Sequence, residues 1–375
     1  MRIGIEAQRI FRPKKHGMEV VALELARQLQ QIDDTNEYIL FARPDADRSC
    51  LSETRNFKIK EISSFTYADW EQLKFPAAAN TAGLDLLHCT CNTAPLSVRP
   101  PLITTIHDII YLEKIDFKGT SYQNFGNLYR RYVVPRIARH SRIVITVSNF
   151  EKNTILEKLR LPEEKVKVVY NAVDQRFNNR YPAEQVDAFR KKFGLPENFI
   201  LFLGNTAPKK NTPNVIRAFA DYCRQQRDPM PLVVLDYDKA LVSEQLARSG
   251  QQECLDHFIF PGYIPSGEMP LMYNAATLFL YPSLRESFGL PILEAMGCGT
   301  PVITSNTSSM PEIAGDAALL VDPFQPDQIT AAIRQMLDDT SLLGAFRQKG
   351  VARAAQFTWK ASAEQLLGIY QAVIH

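Results

Sequence analysis

Short runs of apolar and β-branched residues recur along the chain and alternate with segments of helical periodicity. Several runs are continuously apolar, which is the pattern of strands buried on both faces of a parallel sheet. Between them, apolar positions repeat at one-turn spacing, as in residues 18 to 30 and in 213 to 226 after Thr212-Pro213. The runs are RIGIEA, EYILFA, FKIKEI, DLLHCT, LITTIHD, RIVITVS, VKVVYN, FILFLGN, PLVVLD, HFIFPGY, ATLFLYPS, TPVITS and ALLVDP. This alternation predicts an α/β fold with doubly wound parallel sheets.

A polar segment at residues 174 to 198 divides the runs into two sets. It lacks a strand signal and carries Pro182, Gly194 and Pro196, whereas seven runs precede it and six follow. A chain of 375 residues also exceeds the size at which one core usually stops growing. We therefore predict two Rossmann-like domains, residues 1–185 and 186–357, facing a central cleft at the carboxyl ends of their strands. A last helix, from about Trp359 to Ile374, could pack on either domain.

The net charge of +2 conceals an asymmetry between the two halves of the chain. Residues 1 to 195 carry 30 Lys and Arg against 23 Asp and Glu, and residues 196 to 375 carry 13 against 18. A modest basic bias suits phosphates or an anionic membrane surface. No Lys/Arg-rich run with interleaved aromatics is present, so the sequence predicts no nucleic-acid partner.

The six cysteines form no paired framework, and the first ten residues lack the features of a signal peptide, so we predict a reduced, cytoplasmic location. No apolar stretch reaches the ~20 residues that cross a bilayer, so any membrane contact would be peripheral. The segment 127–142 carries five arginines among apolar residues. It is interpreted either as a helix that lies on anionic lipid or as one whose arginine stems cover the protein's own core.

The segment RESFGLPILEAMGCGTPVITSN, residues 285 to 306, places Glu286 and Glu294 on either side of a predicted helix start. Pro291 suits the first turn of that helix. The turn Ser287-Phe288-Gly289-Leu290 precedes it, at the end of a strand, and would present backbone amides to an anion such as a diphosphate. Gly289 permits close approach of a ligand to the backbone. Glu294 could accept two hydroxyls of a ribose, although both glutamates could also be solvated helix-end charges.

Residues 286 to 323 resemble the signature of glycosyltransferase family 4, whose hallmark is Glu, seven residues, Glu. The resemblance extends to FLGNTAPKKN, FPGYIPSGEMPLMYNAATLFLYPS, VKVVYNAVDQRF, ITVSNFEKNTI, TTIHDIIY and FTWKASAEQLLGIY. It implies a GT-B fold and a retaining transferase that uses a nucleotide diphosphate sugar. It also implies an N-terminal acceptor-binding domain, a C-terminal donor-binding domain, and a closing helix, 358–375, that returns to the N-terminal domain.

The resemblance assigns roles to further polar residues. Lys210 matches the lysine that neutralises the donor diphosphate, and Lys209 stands where a subgroup has arginine. Asn205 occupies the position after the glycine where many members have arginine. His107 matches a histidine beside the transferred sugar. Without the resemblance, both lysines would be read as solvated charges and His107 as a structural histidine.

Gly17, Ser148 and the pair Asp236 and Asp238 are three further candidates for a functional role. Gly17 follows a basic loop and matches a glycine turn near the donor phosphates, although an ordinary basic loop explains it equally. Ser148 matches a family serine and is expected to support the site rather than react. Asp236 and Asp238 have the Asp-x-Asp form of metal-binding transferases, but they lie in the middle of the second domain, on a strand where the family usually has a glycine, so no metal is predicted.

The sequence thus predicts a retaining hexosyltransferase with His107, Glu286 and Lys210 as catalytic residues. The donor would be a GDP-sugar or UDP-sugar, with GDP-mannose favoured because PKKN resembles a subgroup of mannosyltransferases, and no further cofactor is expected. The acceptor would be a glycan or glycolipid, as in surface polysaccharide synthesis. A sugar-nucleotide epimerase, a phosphorylase and a non-catalytic nucleotide-sugar-binding protein stay open. The absence of G-x-G-x-x-G argues against an NAD-dependent oxidoreductase.

Overall fold

A computed structural model of the chain describes residues 1–15, 17–113 and 121–374, with the backbone alone described at 121–124. The chain forms two compact units. The first unit comprises Met1–Asn171 with Trp359–His375, and the second comprises Ala172–Thr358.

The first unit is built on a seven-stranded parallel sheet with the order β3-β2-β1-β4-β5-β6-β7. The central strands are fully buried, as their continuous apolar runs predict. The strands are β1 Arg2–Glu6, β2 Glu37–Ala42, β3 Phe57–Glu61, β4 Leu86–Cys89, β5 Leu102–Thr105, β6 Ile143–Thr146 and β7 Val166–Val168. The α-helices are α1 Gly17–Ile32, α2 Tyr67–Asp69, α3 Phe75–Asn80, α4 Ile110–Glu113, α5 Ser121–His140 and α6 Asn149–Leu159. A π-helical turn, Trp70–Lys74, joins α2 to α3, and 3₁₀ turns lie at Arg48–Cys50 and Glu163–Lys165.

The second unit is built on a six-stranded parallel sheet with the order β10-β9-β8-β11-β12-β13. Its strands are β8 Ile200–Leu203, β9 Leu232–Leu235, β10 Phe258–Ile259, β11 Leu278–Tyr281, β12 Val302–Ser305 and β13 Leu319–Val321. Its α-helices are α7 Ala183–Lys192, α8 Thr212–Gln225, α9 Lys239–Ser249, α10 Met269–Ala275, α11 Leu290–Gly297, α12 Met310–Ala314, α13 Pro326–Asp338 and α14 Thr340–Ala354. The 3₁₀ turns are Pro208–Lys210 and Gln252–His257. No helix within the described residues is long and apolar enough to span a bilayer.

The last helix, α15 Trp359–Ile374, packs against α1 of the first unit. Its buried residues Ala363, Leu366 and Tyr370 join the core formed by β1, β2 and α1. The Tyr370 hydroxyl hydrogen bonds with Nδ1 of His88 at 2.7 Å, and Thr105 Oγ1 hydrogen bonds with Nε2 at 2.8 Å. Burial lowers the pKa of His88 to about 3, so the ring is neutral. The return of the closing helix to the N-terminal domain is therefore confirmed.

Replacing Tyr370 by phenylalanine tests how α15 is held on the first unit. Both groups of the Tyr370–His88 hydrogen bond are buried, so the substitution leaves a buried ring nitrogen without its partner. We expect a loss of about 1–3 kcal/mol in the free energy of unfolding, measured by urea denaturation. Tyr263→Phe is the matched control, because Tyr263 is 77% exposed and should tolerate loss of its hydroxyl.

Every apolar run identified in the sequence contains a strand, and the predicted α1, α8 and α11 are confirmed. The division between the units differs from the predicted boundary, because it falls after Asn171 rather than after residue 185. The reason lies in the packing of residues 172 to 185. The ring of Phe177 packs against Tyr273 with centroids 5.9 Å apart, and its carbonyl lies where a side chain on Gly297 would stand. This segment therefore belongs to the second unit.

Candidate active site

The candidate residues of the second unit gather at the point where the strand order of its sheet reverses. Strands β8 and β11 are neighbours at the centre of the sheet, and the chain proceeds outward from β8 in one direction and from β11 in the other. The loops that follow these two strands consequently diverge, which opens a crevice at their carboxyl ends. Residues 204–211 follow β8, and residues 282–289 follow β11. The topology therefore brings the predicted lysine pair and the predicted glutamate turn together.

Lys210, Tyr281 and Glu286 form a three-membered cluster in this crevice. Lys210 Nζ donates to Glu286 Oε1 at 2.7 Å and to the Tyr281 hydroxyl at 2.6 Å. The Tyr281 hydroxyl in turn donates to Glu286 Oε1 at 2.9 Å. Tyr281 is 1% exposed, whereas the Lys210 side chain remains 22% exposed. The Lys210 side chain is therefore held by two hydrogen bonds and remains partly exposed to solvent.

The cluster leaves hydrogen-bonding capacity for a ligand. An ammonium group has three N–H donors, and Lys210 gives two of them to the residues that the structure describes. Among the described residues, Lys210 and Tyr281 both contact the Glu286 carboxylate at Oε1, so Oε2 can accept a further hydrogen bond. The arrangement thus offers one cationic donor and one carboxylate acceptor side by side. Such a pair suits a ligand that carries phosphate next to hydroxyl groups.

The loop after β8 is fixed by backbone and amide contacts. Asn211 adopts a left-handed conformation with φ of 61° and donates through Nδ2 to the carbonyls of Pro282 and Pro323 at 3.0 and 2.7 Å. The Leu284 amide donates to the Lys209 carbonyl at 2.7 Å. The loops after β8, β11 and β13 are thereby tied together, which gives Lys210 a defined position.

Asn205 and Lys209 occupy different positions relative to this cluster. Asn205 is exposed, and its Oδ1 accepts a hydrogen bond from the Ala207 amide at 2.8 Å, so the side chain shapes its own loop. Lys209 is half-buried, and its carbonyl helps to join the two loops. Of the predicted phosphate ligands on this loop, Lys210 is the one that the structure places in the cluster with Glu286.

The turn from Glu286 to Gly289 is supported by two serines of the loop after β12. Ser308 Oγ accepts from the Glu286 amide at 3.0 Å and donates to the Glu286 carbonyl at 3.1 Å. Ser309 Oγ contacts the Glu286 and Phe288 carbonyls at 2.9 and 3.1 Å. Gly289 has φ of 95°, which side chains rarely tolerate. The turn is therefore rigid and depends on glycine at this position.

Helix α11 begins at Leu290, directly after this turn, with Pro291 in its first turn as predicted. No side chain of the described residues caps the helix start. The predicted turn Ser287-Phe288-Gly289-Leu290 thus leads into an uncapped helix N-terminus beside Lys210, where backbone dipoles favour an anion. Gly297 is the last helical residue, and Gly299 follows in a left-handed conformation with φ of 77°.

Glu294 lies one turn into α11 and carries an unusual carboxyl group. Burial raises the pKa of Glu294 from 4.5 to about 7, although a hydrogen bond from Tyr273 opposes the shift. The Tyr273 hydroxyl donates to Glu294 Oε2 at 3.1 Å. A helix-end glutamate in water would not show such a shift. Perturbed carboxyl groups of this kind are more frequent at functional sites, so Glu294 is more than a solvated helix-end charge.

His107 lies in the first unit, two residues beyond the end of β5. Its ring Nε2 donates to the Thr90 carbonyl at 2.8 Å, and its backbone amide donates to Asn92 Oδ1 at 2.6 Å. Because a carbonyl can only accept, Nε2 carries the proton and Nδ1 is the acceptor of the neutral ring. Burial lowers the pKa of His107, so the ring is neutral near pH 7. His107 can therefore accept a hydrogen bond from a hydroxyl.

Gly17 and Ser148 occupy the starts of two helices in the first unit. Gly17 is the first residue of α1 and is exposed. Ser148 caps α6, because its Oγ accepts from the Glu151 amide at 3.1 Å. The supporting role expected of Ser148 agrees with this capping contact.

The Asp-x-Asp sequence after β9 has a local role. Asp238 caps α9, and its Oδ1 accepts from the Ala240 amide at 2.6 Å. Asp236 is exposed and adopts a left-handed conformation with φ of 57°. Across residues 1–15, 17–113 and 121–374, no three His, Cys, Asp or Glu side chains lie close enough together to hold a metal ion.

Several residues of the site were missed from the sequence. Tyr281 lies in the apolar run ATLFLYPS, whose pattern predicts a buried strand. Tyr273 and Tyr281 both lie in a segment that resembles the family, but the resemblance assigns neither tyrosine a role. Asn211, Ser308 and Ser309 act through backbone contacts. The one usable signal was Tyr281 itself, because a tyrosine at the carboxyl end of a buried strand needs a hydrogen-bond partner for its hydroxyl.

Two parallel α/β units and a lysine–carboxylate cluster at the strand reversal of the second are the features that the resemblance to family 4 implies. Two family models match the chain. The model described as Glycosyltransferase Family 4 matches residues 16–177, and the model described as Glycosyl transferases group 1 matches residues 185–353. The chain therefore belongs to the family 4 glycosyltransferases, with one model for each of its two domains.

Two Escherichia coli mannosyltransferases have sequences similar to this chain. O-antigen chain mannosyltransferase B of Escherichia coli is 34% identical over 62% of this chain and 61% of that protein. The serotype-specific mannosyltransferase WbdA of Escherichia coli is 29% identical over 62% of this chain and 29% of that protein. The matched region thus spans less than two thirds of either relative.

Solved structures share the fold along almost the whole chain. HepE of Anabaena, solved with UDP and glucose, superimposes with a TM-score of 0.74 at 20% identity, covering 99% of this chain and 100% of that one. WaaG, described as a glycosyltransferase involved in lipopolysaccharide biosynthesis, superimposes with a TM-score of 0.70 at 14% identity, covering 98% of this chain and 99% of that one. These similarities establish the fold.

Proposed function

We propose that the chain is a retaining glycosyltransferase that moves a hexose from a nucleotide diphosphate sugar to a hydroxyl of a glycan or glycolipid acceptor. The observation that carries this proposal is the Lys210–Tyr281–Glu286 cluster beside the uncapped start of α11. It supplies a cation, backbone dipoles and a carboxylate within one crevice of the second unit. That combination suits the diphosphate and the hydroxyl groups of a nucleotide diphosphate sugar.

The donor is proposed to lie across the second unit with its diphosphate at Lys210. Lys209 and the backbone amides of the turn 287–290 add positive potential there. Glu294 accepts the two ribose hydroxyls, and Oε2 of Glu286 accepts a hydroxyl of the sugar. Asn205, on its exposed loop, contributes through the loop conformation that it stabilises.

The reaction breaks the bond between the anomeric carbon and the phosphate oxygen, so negative charge develops on the diphosphate. Lys210 and the helix start stabilise that charge without a metal ion. The acceptor oxygen bonds to the same face of the anomeric carbon, and its proton passes to an oxygen of the departing diphosphate. In the first unit, His107 offers a hydrogen-bond acceptor, Nδ1, and its role beside the transferred sugar stays a prediction from the sequence, as does the role of Gly17 at the start of α1.

Mannose is the proposed sugar and GDP-mannose the proposed donor. The PKKN sequence of the loop after β8 supports this choice, and so do the mannosyltransferase relatives, one named for O-antigen chains and one for a serotype. Synthesis of a surface polysaccharide is therefore the proposed setting. A glycolipid acceptor would require the enzyme to reach a membrane from the cytoplasmic side.

Incubation with candidate donors tests this proposal. Purified protein is mixed with GDP-mannose, or with each of several UDP-sugars, in EDTA, together with mannose-containing acceptors, and nucleotide release is measured. We expect release with one donor and, by NMR, a product that keeps the anomeric configuration of the donor. Conversion of the donor to a second nucleotide sugar would indicate an epimerase instead. Tight binding without release across all acceptors would indicate a nucleotide-sugar-binding protein.

A further inference from the structure

Helix α5 of the first unit presents a line of large apolar side chains to solvent. Phe125, Leu128 and Tyr132 are 64%, 62% and 54% exposed, and they follow one another at the spacing of a single helix face. Burial of one such side chain stabilises a protein by about 1.5–3 kcal/mol. Exposure of three of them on one helix face therefore indicates a surface that is covered by a partner. The opposite face of α5, with Val133, Val134 and Ile137, is buried in the first unit's core.

Two neighbouring segments extend this apolar surface. Phe65 is 96% exposed, Leu73 is 66% exposed and Leu96 is 37% exposed. Gln72 connects these segments to α5, because its Nε2 donates to the Tyr129 hydroxyl at 2.7 Å and its Oε1 accepts from the Leu96 amide at 3.0 Å. In the described part of the first unit, the other large apolar residue that is exposed is Ile374.

The same solvent-facing line of α5 continues into arginines. Arg136 lies over the Tyr132 ring at 3.6 Å and donates to the Tyr132 carbonyl at 2.7 Å. Arg139 follows one turn later and is exposed, as are His140 and Arg142. The stretch from residue 121 to 142 holds five arginines and one histidine but no Asp or Glu. From Phe125 to Arg139 the helix rises about 21 Å.

A basic cavity lies at the carboxyl end of α5. It has a volume of about 630 Å³ and is lined by Arg99, Arg139, His140, Arg142 and Lys165, with Glu164 as the acidic member. Lys165 Nζ donates to the Arg139 carbonyl, which fixes the lysine at the cavity wall. The cavity lies beside the first residues of β5 and β6, whereas His107 follows the last residue of β5. The cavity and His107 are therefore at opposite ends of the sheet.

We propose that the exposed face of α5, with Phe65, Leu73 and Leu96 beside it, docks on an anionic lipid bilayer. The apolar side chains enter the interface between headgroups and acyl chains, and the arginines with the cavity at the end of α5 bind anionic headgroups. This inference concerns a surface of the first unit and holds whichever sugar is transferred. It also gives the protein a way to meet an acceptor that is held in a membrane.

The charge of the surface selects a bilayer over a second copy of the chain. In an isologous dimer residue i of one copy meets residue j of the other, so the arginines of one α5 would face either the arginines or the apolar side chains of its partner. The segment provides no acid to neutralise them. An anionic bilayer offers hydrocarbon and negative charge together, which matches both halves of this helix face.

Binding to vesicles tests the proposal. The wild-type protein is mixed with vesicles of phosphatidylglycerol and phosphatidylcholine, or of phosphatidylcholine alone, and bound protein is measured by flotation. We expect binding to the anionic vesicles that weakens as salt is added. Phe125→Ser/Leu128→Ser/Tyr132→Ser should reduce the partition coefficient about tenfold or more. Tyr263→Ser/Phe324→Ser, which changes two comparably exposed residues of the second unit, should bind like wild type.

A fluorescent variant gives a readout that does not depend on loss of binding. Phe125→Trp should shift its emission to shorter wavelength when anionic vesicles are added, while Phe324→Trp, at a residue of similar exposure, should not. Donor-dependent thermal stabilisation should persist in the serine variant, which shows that folding and donor binding are intact. The proposal is overturned if wild type ignores anionic vesicles, if the serine variant binds them equally, or if that variant instead dissociates a dimer in sedimentation equilibrium.

Discussion

Replacing Lys210 by alanine is expected to lower kcat about 100- to 1000-fold, which is the usual effect of removing one donor that stabilises charge in a transition state. The diphosphate gains negative charge as the glycosidic bond breaks, and Lys210 is the cation that the structure fixes at this point. The effect should appear in kcat measured at saturating donor, with radiolabelled sugar transfer as the assay.

A second lysine of the same unit provides the control. Lys192 Nζ contacts Glu268 at 2.6 Å, close to the distance in the Lys210–Glu286 pair, but it is 57% exposed and lies on α7, away from the strand ends. Lys192→Ala should leave kcat unchanged. If Lys210→Ala retained kcat within about threefold of wild type, a role for Lys210 in stabilising the leaving diphosphate would be refuted.

Replacing Glu294 by glutamine is expected to stabilise the protein above neutral pH while it weakens donor binding. Folded Glu294 holds its proton up to about pH 7, whereas the unfolded chain loses that proton near its ordinary value of 4.5. Its contribution to stability is therefore complete below pH 4.5 and is lost as pH rises through 7. At pH 8 the glutamine variant, which is never charged, should be more stable by on the order of 2 kcal/mol.

Comparing the free energies of unfolding of wild type and Glu294→Gln across pH isolates the contribution of the Glu294 carboxyl group. Glu6 in the first unit also has its pKa raised to about 7 by burial, so the wild type and the variant share that contribution. The difference in their free energies of unfolding should be small at pH 4.5, should grow as pH rises to about 7, and should level off above that pH. A difference that stays constant between pH 4.5 and 8 would show that Glu294 ionises normally.

Ionisation of Glu294 lowers the stability of the wild type but should strengthen its binding of the donor. An ionised carboxylate accepts two ribose hydroxyls, whereas a glutamine side chain has one acceptor oxygen. Donor affinity of the wild type should therefore rise as pH increases from 6 to 8, and in Glu294→Gln it should be roughly tenfold weaker and independent of pH over this range. Titration calorimetry at several pH values measures both effects. Equal affinity of the two proteins at pH 8 would place the ribose elsewhere.

The strands and the position of the candidate site followed from local sequence patterns. Continuous apolar runs such as Leu278–Tyr281 are buried on both faces, so their composition alone marks them as strands of a parallel sheet. The glycine at 289 and the proline at 291 mark the turn and the helix start after that strand. These signals are local, and the structure confirms them.

The partners within the site could not be read from the sequence. Lys210 and Glu286 are 76 residues apart, and their contact arises because β8 and β11 are neighbours in the sheet. Tyr281 resembles any other aromatic residue of a buried strand until its hydroxyl is seen between them. Likewise, Ser308 and Ser309 lie in the stretch that resembles the family signature, but the resemblance assigns them no role, and their contacts depend on the fold of the turn at 286 to 289.

The sequence alone also did not show to which unit residues 172 to 185 and helix α15 belong. The polar, turn-rich sequence of residues 172 to 185 puts them at the end of the predicted first domain, but Phe177 packs on the second unit. Helix α15 has an apolar face that would suit either sheet. The hydrogen bond from Tyr370 to His88, a residue 282 positions earlier, fixes it on the first unit.

Donor-dependent thermal stabilisation in EDTA is the most direct test of the central claim that the Lys210–Tyr281–Glu286 crevice binds a nucleotide diphosphate sugar without a metal. Melting temperatures are compared with and without GDP-mannose and several UDP-sugars, for wild type, Lys210→Ala and Glu294→Ala. The account predicts that one donor raises the melting temperature of wild type and that both substitutions abolish most of the increase. No increase with any sugar nucleotide, with or without added Mn²⁺, or an undiminished increase in Lys210→Ala, would contradict it.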